Sequence, residues 1–305
     1  MSDVRVGVLH SRIRSDERLL IEALDDRGHE VVRADVRTLR FDLDGTPIGP
    51  DGVPDALADV DVAIDRCMSA TRGLYAARFL QSAGIPVVNT PAVAEICIDK
   101  AKTSLALADA GVPTPKTEVA FTQEAALDAV ESFGYPCVLK PVTGSWGRLM
   151  AKIDSKSAAE AILEHKATLG HYEHGVFYVQ EFVDKPGRDL RVVATDGEPI
   201  AGMARRADDW LTNAARGAET EPFEVDSEVE ELVRAASDAV GGGLLGIDLM
   251  ETGDNSDDGY VIHEVNHGVE FTALNGTVET DVPGAVVDWL ETVAEEEKSR
   301  AEVTV

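Results

Sequence analysis

No stretch of this chain is apolar for long enough to cross a bilayer, which excludes a helical membrane span. The opening MSDVRVGVLH runs into a strand rather than building a signal peptide, so a cytoplasmic protein is expected. Cysteine is scarce. Cys67, Cys97 and Cys137 lie far apart in apolar surroundings, with no CxxC pair and no Cys/His cluster. That excludes a disulfide framework and a structural zinc site, and predicts reduced, buried thiols. Positive charge is scarce too: 28 Lys and Arg stand against 56 Asp and Glu, a net charge of −28. A nucleic-acid partner would need a basic face, which this balance does not offer. Internal repeats and low-complexity tracts are also missing.

What is present is a globular chain of two or three lobes. A hydrophobic fraction of 44% over 305 residues supports packed cores and excludes disorder. The acid is spread along the whole chain. Such a solvated, self-repelling surface suits a high-salt cytoplasm, where screening removes most of the repulsion.

Strand and helix alternate at first: strands near 4–9, 29–34, 60–64 and 85–88, helices near 16–27 and 71–83. This predicts a parallel sheet covered on both faces. The first helix is expected to turn Leu19, Leu20, Ala23 and Leu24 inward, and Gly28 to stop it. Between 41 and 55, FDLDGTPIGPDGVPD reads as turns or a small hairpin. A helix begins near Pro91, and GVPTP at 111–115 breaks it. The pattern then becomes mixed. Strands are expected at 117–121, 136–141 and 176–182, helices at 124–133 and 157–169. An antiparallel pair follows at 189–195 and 199–205. A helix at 228–240 precedes strands at 244–251 and 260–266, and a last helix lies near 285–297. The predicted lobes are 1–95, 96–184 and 185–305.

Four clusters carry candidate chemistry. Asp248 interrupts the apolar LLGIDLME, and Glu264 and Asn266 interrupt YVIHEVNH. Strand alternation puts the last two on one face. The set is either an oxygen-rich site for a hard cation such as Mg²⁺ or a group of edge residues. Lys140 ends an apolar strand, a costly place for a charge without a partner, and T-G-S-x-G follows. Such a loop exposes N–H groups to phosphate, although by itself it reads as an ordinary hairpin turn. QEFVDKPGRDLR could offer backbone groups to an adenine edge and Glu181 or Asp184 to a ribose, or simply connect two lobes. Arg205, Arg206 and Arg216, with Asn213 between them, either grip carboxylate and phosphate or balance local acid.

The order of these pieces resembles the ATP-grasp superfamily along nearly the whole chain, specifically its RimK-like branch. KPVTGSWGRL, QEFVDKPGRDLRV, N-A-A-R-G and EVNHGVEF, with LHSRIRSDERLL and DRCMSATRGLYAARFL, are similar to the LysX/ArgX group. That group attaches an amino acid to the C-terminal glutamate of a small acidic carrier protein, LysW. The resemblance implies an N-terminal α/β lobe followed by two α+β lobes clamping ATP. It implies ATP contacts from Lys100, Lys140, Gly144, Ser145, Trp146, Gly147, Arg148, Gln180, Glu181, Phe182, Val183, Asp184, Arg188, Asp189, Arg205 and Asn213. It places Mg²⁺, as two ions, on Asp248, Glu264 and Asn266, and the substrates near Arg206, Arg216, Asn266 and His267. Lys140, Arg191 and Arg216 become the catalytic candidates, with 144–148 as a mobile lid. The chain departs from N-T-A-R-G-G at Ala214 and Ala218, and has Gly268 after EVNH, which bears on substrate identity rather than reaction class. Glutamate or 2-aminoadipate would be the amino acid. A homo-oligomer is expected, with carrier docking on Arg12, Arg14, Arg66 and Arg72.

Overall fold

Val4, Val6, Val8 and Leu9 give the first strand apolar residues on both faces, the mark of a strand covered on both sides. The computed structural model describes residues 3–144, 149–169, 175–207, 210, 219–253 and 259–304. In it the first stretch forms β1 (Arg5–His10), α1 (Ser15–Asp26), β2 (Glu30–Asp35), β3 (Arg40–Phe41), β4 (Pro47–Ile48), α2 (Val53–Ala58), β5 (Val62–Asp65), α3 (Ala70–Ser82) and β6 (Val87–Val88). The strands β2-β1-β5-β6 make one parallel sheet, and β3 and β4 pair as the expected small hairpin. Helix α2 was read as turn sequence. A proline in its first turn starts it, and buried Leu57 holds it.

The second stretch contains α4 (Pro91–Cys97), α5 (Lys100–Asp109), β7 (Thr117–Ala120), α6 (Gln123–Phe133), β8 (Cys137–Lys140), β9 (Ala151–Ile153), α7 (Lys156–Leu169) and β10 (Phe177–Glu181). Its sheet is antiparallel, in the order β7-β10-β8-β9. One face packs on α6 and α7 through Ala126, Val130, Leu139, Leu163 and Val179. Strand β9 was not anticipated: three residues beside a turn carry too little period to see.

The third sheet runs β13-β12-β11-β14-β15, from β11 (Arg188–Thr195), β12 (Glu198–Arg206), β13 (Glu219–Phe223), α8 (Ser227–Val240), β14 (Leu244–Glu251) and β15 (Tyr260–Asn266). Leu190, Val192, Leu245, Ile247 and Leu249 turn one face onto α8. Strict alternation therefore sends Asp189, Arg191 and Asp248 to the other face. Two helices follow, α9 (Thr272–Asn275) and α10 (Val282–Thr304). Helix α10 lies in the 185–305 stretch but covers the first sheet. Its Val286, Val287 and Leu290 share a core with Val4, Val6, Leu20 and Leu24. This packing also turns α1: Ile21 is buried, whereas Leu19 and Ala23 are half-buried.

Candidate functional site

The site is built on the cleft face of the third sheet. Arg191 stands opposite Asp248, and Asp248 opposite Glu264, on three neighbouring strands. Arg191 grips Asp248 with both ends of its fork, Nε to Oδ1 at 2.7 Å and Nη2 to Oδ2 at 2.6 Å. Arg205 Nη2 donates to Oδ1 at 3.0 Å, and Asn266 Nδ2 to Oδ2 at 3.3 Å. Four donors thus take the four acceptor positions of one carboxylate. Burial by itself would raise the Asp248 pKa, but Arg191 and Arg205 outweigh it and hold the carboxyl ionised, well below the usual range. Arg205 also donates to Asp189 at 2.6 Å, and Lys185 Nζ lies 3.6 Å from the same carboxylate.

Strand β15 carries a bulge here: Asp248 pairs with Glu264 but Leu249 with Ile262, so His263 is the extra residue. Its ring nitrogens are buried and have no hydrogen-bond partner among the described residues. Burial, reinforced by Lys140, pushes its pKa well below the ordinary value, so the imidazole is neutral. His267, on the chain just beyond, is pushed down to about 4 by burial and by Arg66.

Lysines face this array from the second lobe. Asp99 caps α5 by accepting from the N–H groups of Ala101 and Lys102, which sets Lys100 in the first turn. Lys100 Nζ reaches the Gly144 carbonyl at 2.9 Å and Glu264 Oε1 at 3.1 Å. Gly144 has φ +117°, a conformation that a side chain would strain. Lys140 is 4% exposed. Burial pushes its pKa down to about 8; Glu264 pulls it up, and Lys100 and Lys185 push it further down.

These residues converge on a cleft of about 450 Å³ between the lobes. Of the expected residues, Lys100, Lys140, Gly144, Gln180, Glu181, Phe182, Val183, Asp189, Arg191, Arg205, Asp248, Glu264, Asn266 and His267 line it. Asp184, Arg188 and Arg206 do not. Arg206 follows Arg205 on β12 and so faces the other side, where it pairs with Glu221. Arg188 forks onto Glu251 at 2.7 and 2.6 Å. Ser145, Trp146, Gly147, Arg148, Asn213 and Arg216 lie outside the described residues. Of the docking arginines, Arg66 is buried and stacks on Phe271. Arg14 is tied to Glu17 and to Glu270, at 2.9 and 2.5 Å. Only Arg12 and Arg72 are exposed, because the other two pack at the junction of the first and third sheets. Cys67 and Cys97 were expected to be buried but are half-buried on the cleft wall. Burial pushes the Cys97 thiol up to about 12, which keeps it inert.

Lys185, inside the 180–191 segment expected at the nucleotide, lines the cleft as well, as do Met250 and His263, which the sequence did not single out. Lys185 stands just before Pro186 in the link between β10 and β11, and His263 faces inward because of the bulge. No signal in one sequence marks the latter.

A hard cation fits this face on the chemistry of its donors. Glu264 is a quarter exposed and shares its face with Asn266, whose amide oxygen points away from Asp248 because its nitrogen donates there. Among the described residues no three His, Cys, Asp or Glu groups form a ready ligand set. A cation here would need ligand oxygens as well, as Mg²⁺ does at phosphates.

Comparison with known proteins identifies the family and the fold. Residues 6–96 match a family model described as the LysX preATP-grasp domain, and residues 97–290 one described as the RimK-like ATP-grasp domain. The glutamate–LysW ligase ArgX of Sulfolobus acidocaldarius is 32% identical over 289 residues, 94% of this chain and 98% of that protein. The alpha-aminoadipate–LysW ligase LysX of Saccharolobus solfataricus is 37% identical over 214 residues, 70% of this chain and 77% of that protein. Among solved structures, a RimK domain ATP-grasp protein from Sphaerobacter thermophilus superposes with a TM-score of 0.75 at 31% identity, covering 93% of this chain and 98% of that one. The D-alanine–D-alanine ligase from Bacillus anthracis, complexed with ATP, shares the fold alone: TM-score 0.69 at 17% identity, covering 98% and 100%.

Proposed function

This chain belongs to the RimK-like ATP-grasp family, and from that premise we propose that it ligates glutamate to the C-terminal glutamate of a small, acidic, LysW-like carrier protein, releasing ADP and phosphate. The observation that carries the reading is the junction of Asp248, locked by two arginines, with Lys100, Lys140 and Lys185 around one cleft. The alignment over 94% of this chain with a relative named glutamate–LysW ligase supports glutamate as the amino acid. Relatives named alpha-aminoadipate–LysW ligase, at 37% identity over 70% of the chain and 32% over 87%, keep 2-aminoadipate, one methylene longer, as the second reading. RimK-type glutamylation of a ribosomal protein tail has no such support.

ATP-grasp ligases use ATP and Mg²⁺. In this chain Gln180, Glu181, Phe182 and Val183, at the hinge between the second and third sheets, would hold the base. Lys100, Lys140 and Lys185 would meet the phosphates as point charges. Glu264 and Asn266, with Asp248 behind them, would hold Mg²⁺, as two ions in this reading. The metal supplies charge neutralisation on the phosphoryl group. The carrier's terminal side-chain carboxylate attacks the γ-phosphate, forming an acyl phosphate and ADP. The α-amine of glutamate then attacks the acyl carbon, loses a proton and expels phosphate. No protein nucleophile is needed. Arg191, fixed on Asp248, places fixed positive charge where the transferring group sits, and preorganised charge of this kind supplies most of the rate. Arg14, Glu270 and His267, which also line the cleft, would face the amino acid. We further read the enzyme as cytoplasmic, homo-oligomeric and adapted to high salt.

The test is ADP release in molar KCl with Mg²⁺ and the carrier, comparing glutamate with 2-aminoadipate. Turnover that requires the carrier and prefers glutamate is the expected result. ATP binding without turnover on either amino acid would overturn it.

A further inference from the structure

His263 faces the cleft with two buried ring nitrogens and, among the described residues, no hydrogen-bond partner for either. Buried polar atoms are nearly always paired, and one left alone is costly. Packing does not explain the residue. Its neighbours Ile262 and Val265 fill the core under α8, and an apolar residue at 263 would avoid the cost. The bulge is what sends the side chain to the cleft, where Glu264 and Asn266 also point. Bulges beside functional sites commonly re-aim one side chain in this way.

Charged groups near the ring include Lys140, Lys185, Arg205 and Asp248, and Glu264 is its neighbour on β15. The three cations are donors only and offer nothing to an imidazole N–H. Arg191, Arg205 and Asn266 already take the four acceptor positions of Asp248, and Glu264 is paired with Lys100. An acceptor on a ligand in the cleft would supply the partner that the ring lacks.

We propose that His263 is a nucleotide-contacting residue whose ring N–H donates to an acceptor atom of the nucleotide bound in this cleft. The proposal rests on the cleft being the nucleotide site. It implies that the residue stabilises the bound state at the expense of the empty one, a trade found at binding sites.

Two variants separate this from a structural role: His263→Leu, which removes both polar atoms, and His263→Asn, which keeps an N–H donor. ADP is titrated calorimetrically in the presence of Mg²⁺, and the nucleotide-free proteins are melted in parallel. His263→Leu is expected to weaken ADP about tenfold while melting no lower than wild type. His263→Asn is expected to recover most of the affinity. Wild-type affinity in His263→Leu would overturn the assignment, and so would a melting temperature that falls in step with affinity. A wild-type protein that binds no ADP would remove the cleft reading itself, a result distinct from either.

Discussion

Lys140 shows how one residue links burial to function. Its ammonium is pushed down to about 8 from the ordinary 10.5. The charged form therefore opposes folding. The stability contribution is absent below about pH 8 and is gained as pH rises from 8 through the ordinary range, where the unfolded chain binds more protons. Binding runs the other way, since phosphates need the charge. ADP affinity is expected to fall as pH rises above about 8 in the wild type, and to be weak and nearly flat with pH in Lys140→Met. Calorimetry from pH 6.5 to 9.5 checks this; equal slopes for both proteins would remove Lys140 from the phosphates. Glu264 and Arg191 differ in the same instructive way. Glu264 is partly exposed and pairs with Lys100, so Glu264→Ala should keep the fold and lose ADP release by about 100-fold or more. Arg191→Met leaves a buried carboxylate short of its main partner. It should lose about 3–5 kcal/mol of stability together with activity, read by urea unfolding.

Among the elements, α10 and α1 decide how the lobes are joined. Asp16 on α1 is buried, and its Oδ1 accepts from Phe271 N, Thr272 N and Thr272 Oγ1 at 2.8, 2.8 and 2.9 Å. One carboxylate thus ties the first sheet's helix to the chain leaving the cleft. Asp16→Ala should cost about 2–3 kcal/mol in thermal or urea unfolding, since three donors, the buried Phe271 N–H among them, lose their acceptor. Asn89 makes a second tie, bonding both the N–H and the carbonyl of Leu244 and the carbonyl of His267. Gly243 allows it: a Cβ there would lie 2.2 Å from Asn89 Oδ1. Strands β8, β11, β14 and β15 are legible because their residues are mostly apolar and the polar insertions stand out. The short β9 and α9 carry no usable period, and β13, ETEPF, has no apolar pattern.

For the whole molecule the controlling quantity is charge. With a net −28, the folded chain repels itself, and salt screens that repulsion over about 10 Å at 0.1 M and about 3 Å at 1 M. The melting temperature should therefore rise steeply between low salt and molar KCl, and a flat dependence would remove the high-salt reading.

The sequence by itself determined the composition of the site: strand-borne Asp248, Glu264 and Asn266, the lysine ending β8, and the arginines of β11 and β12. These stand out because a charge in an apolar strand is costly without a purpose, and because alternation fixes which residues share a face. Tertiary structure decided the rest. It separated Arg205 from Arg206 by sheet face and buried Arg66 and tied down Arg14 at a junction between lobes. It brought Lys185 and His263 to the cleft, and laid a C-terminal helix over the N-terminal sheet. Those outcomes depend on a bulge, a sheet order and contacts between residues more than a hundred positions apart, which local periodicity does not encode.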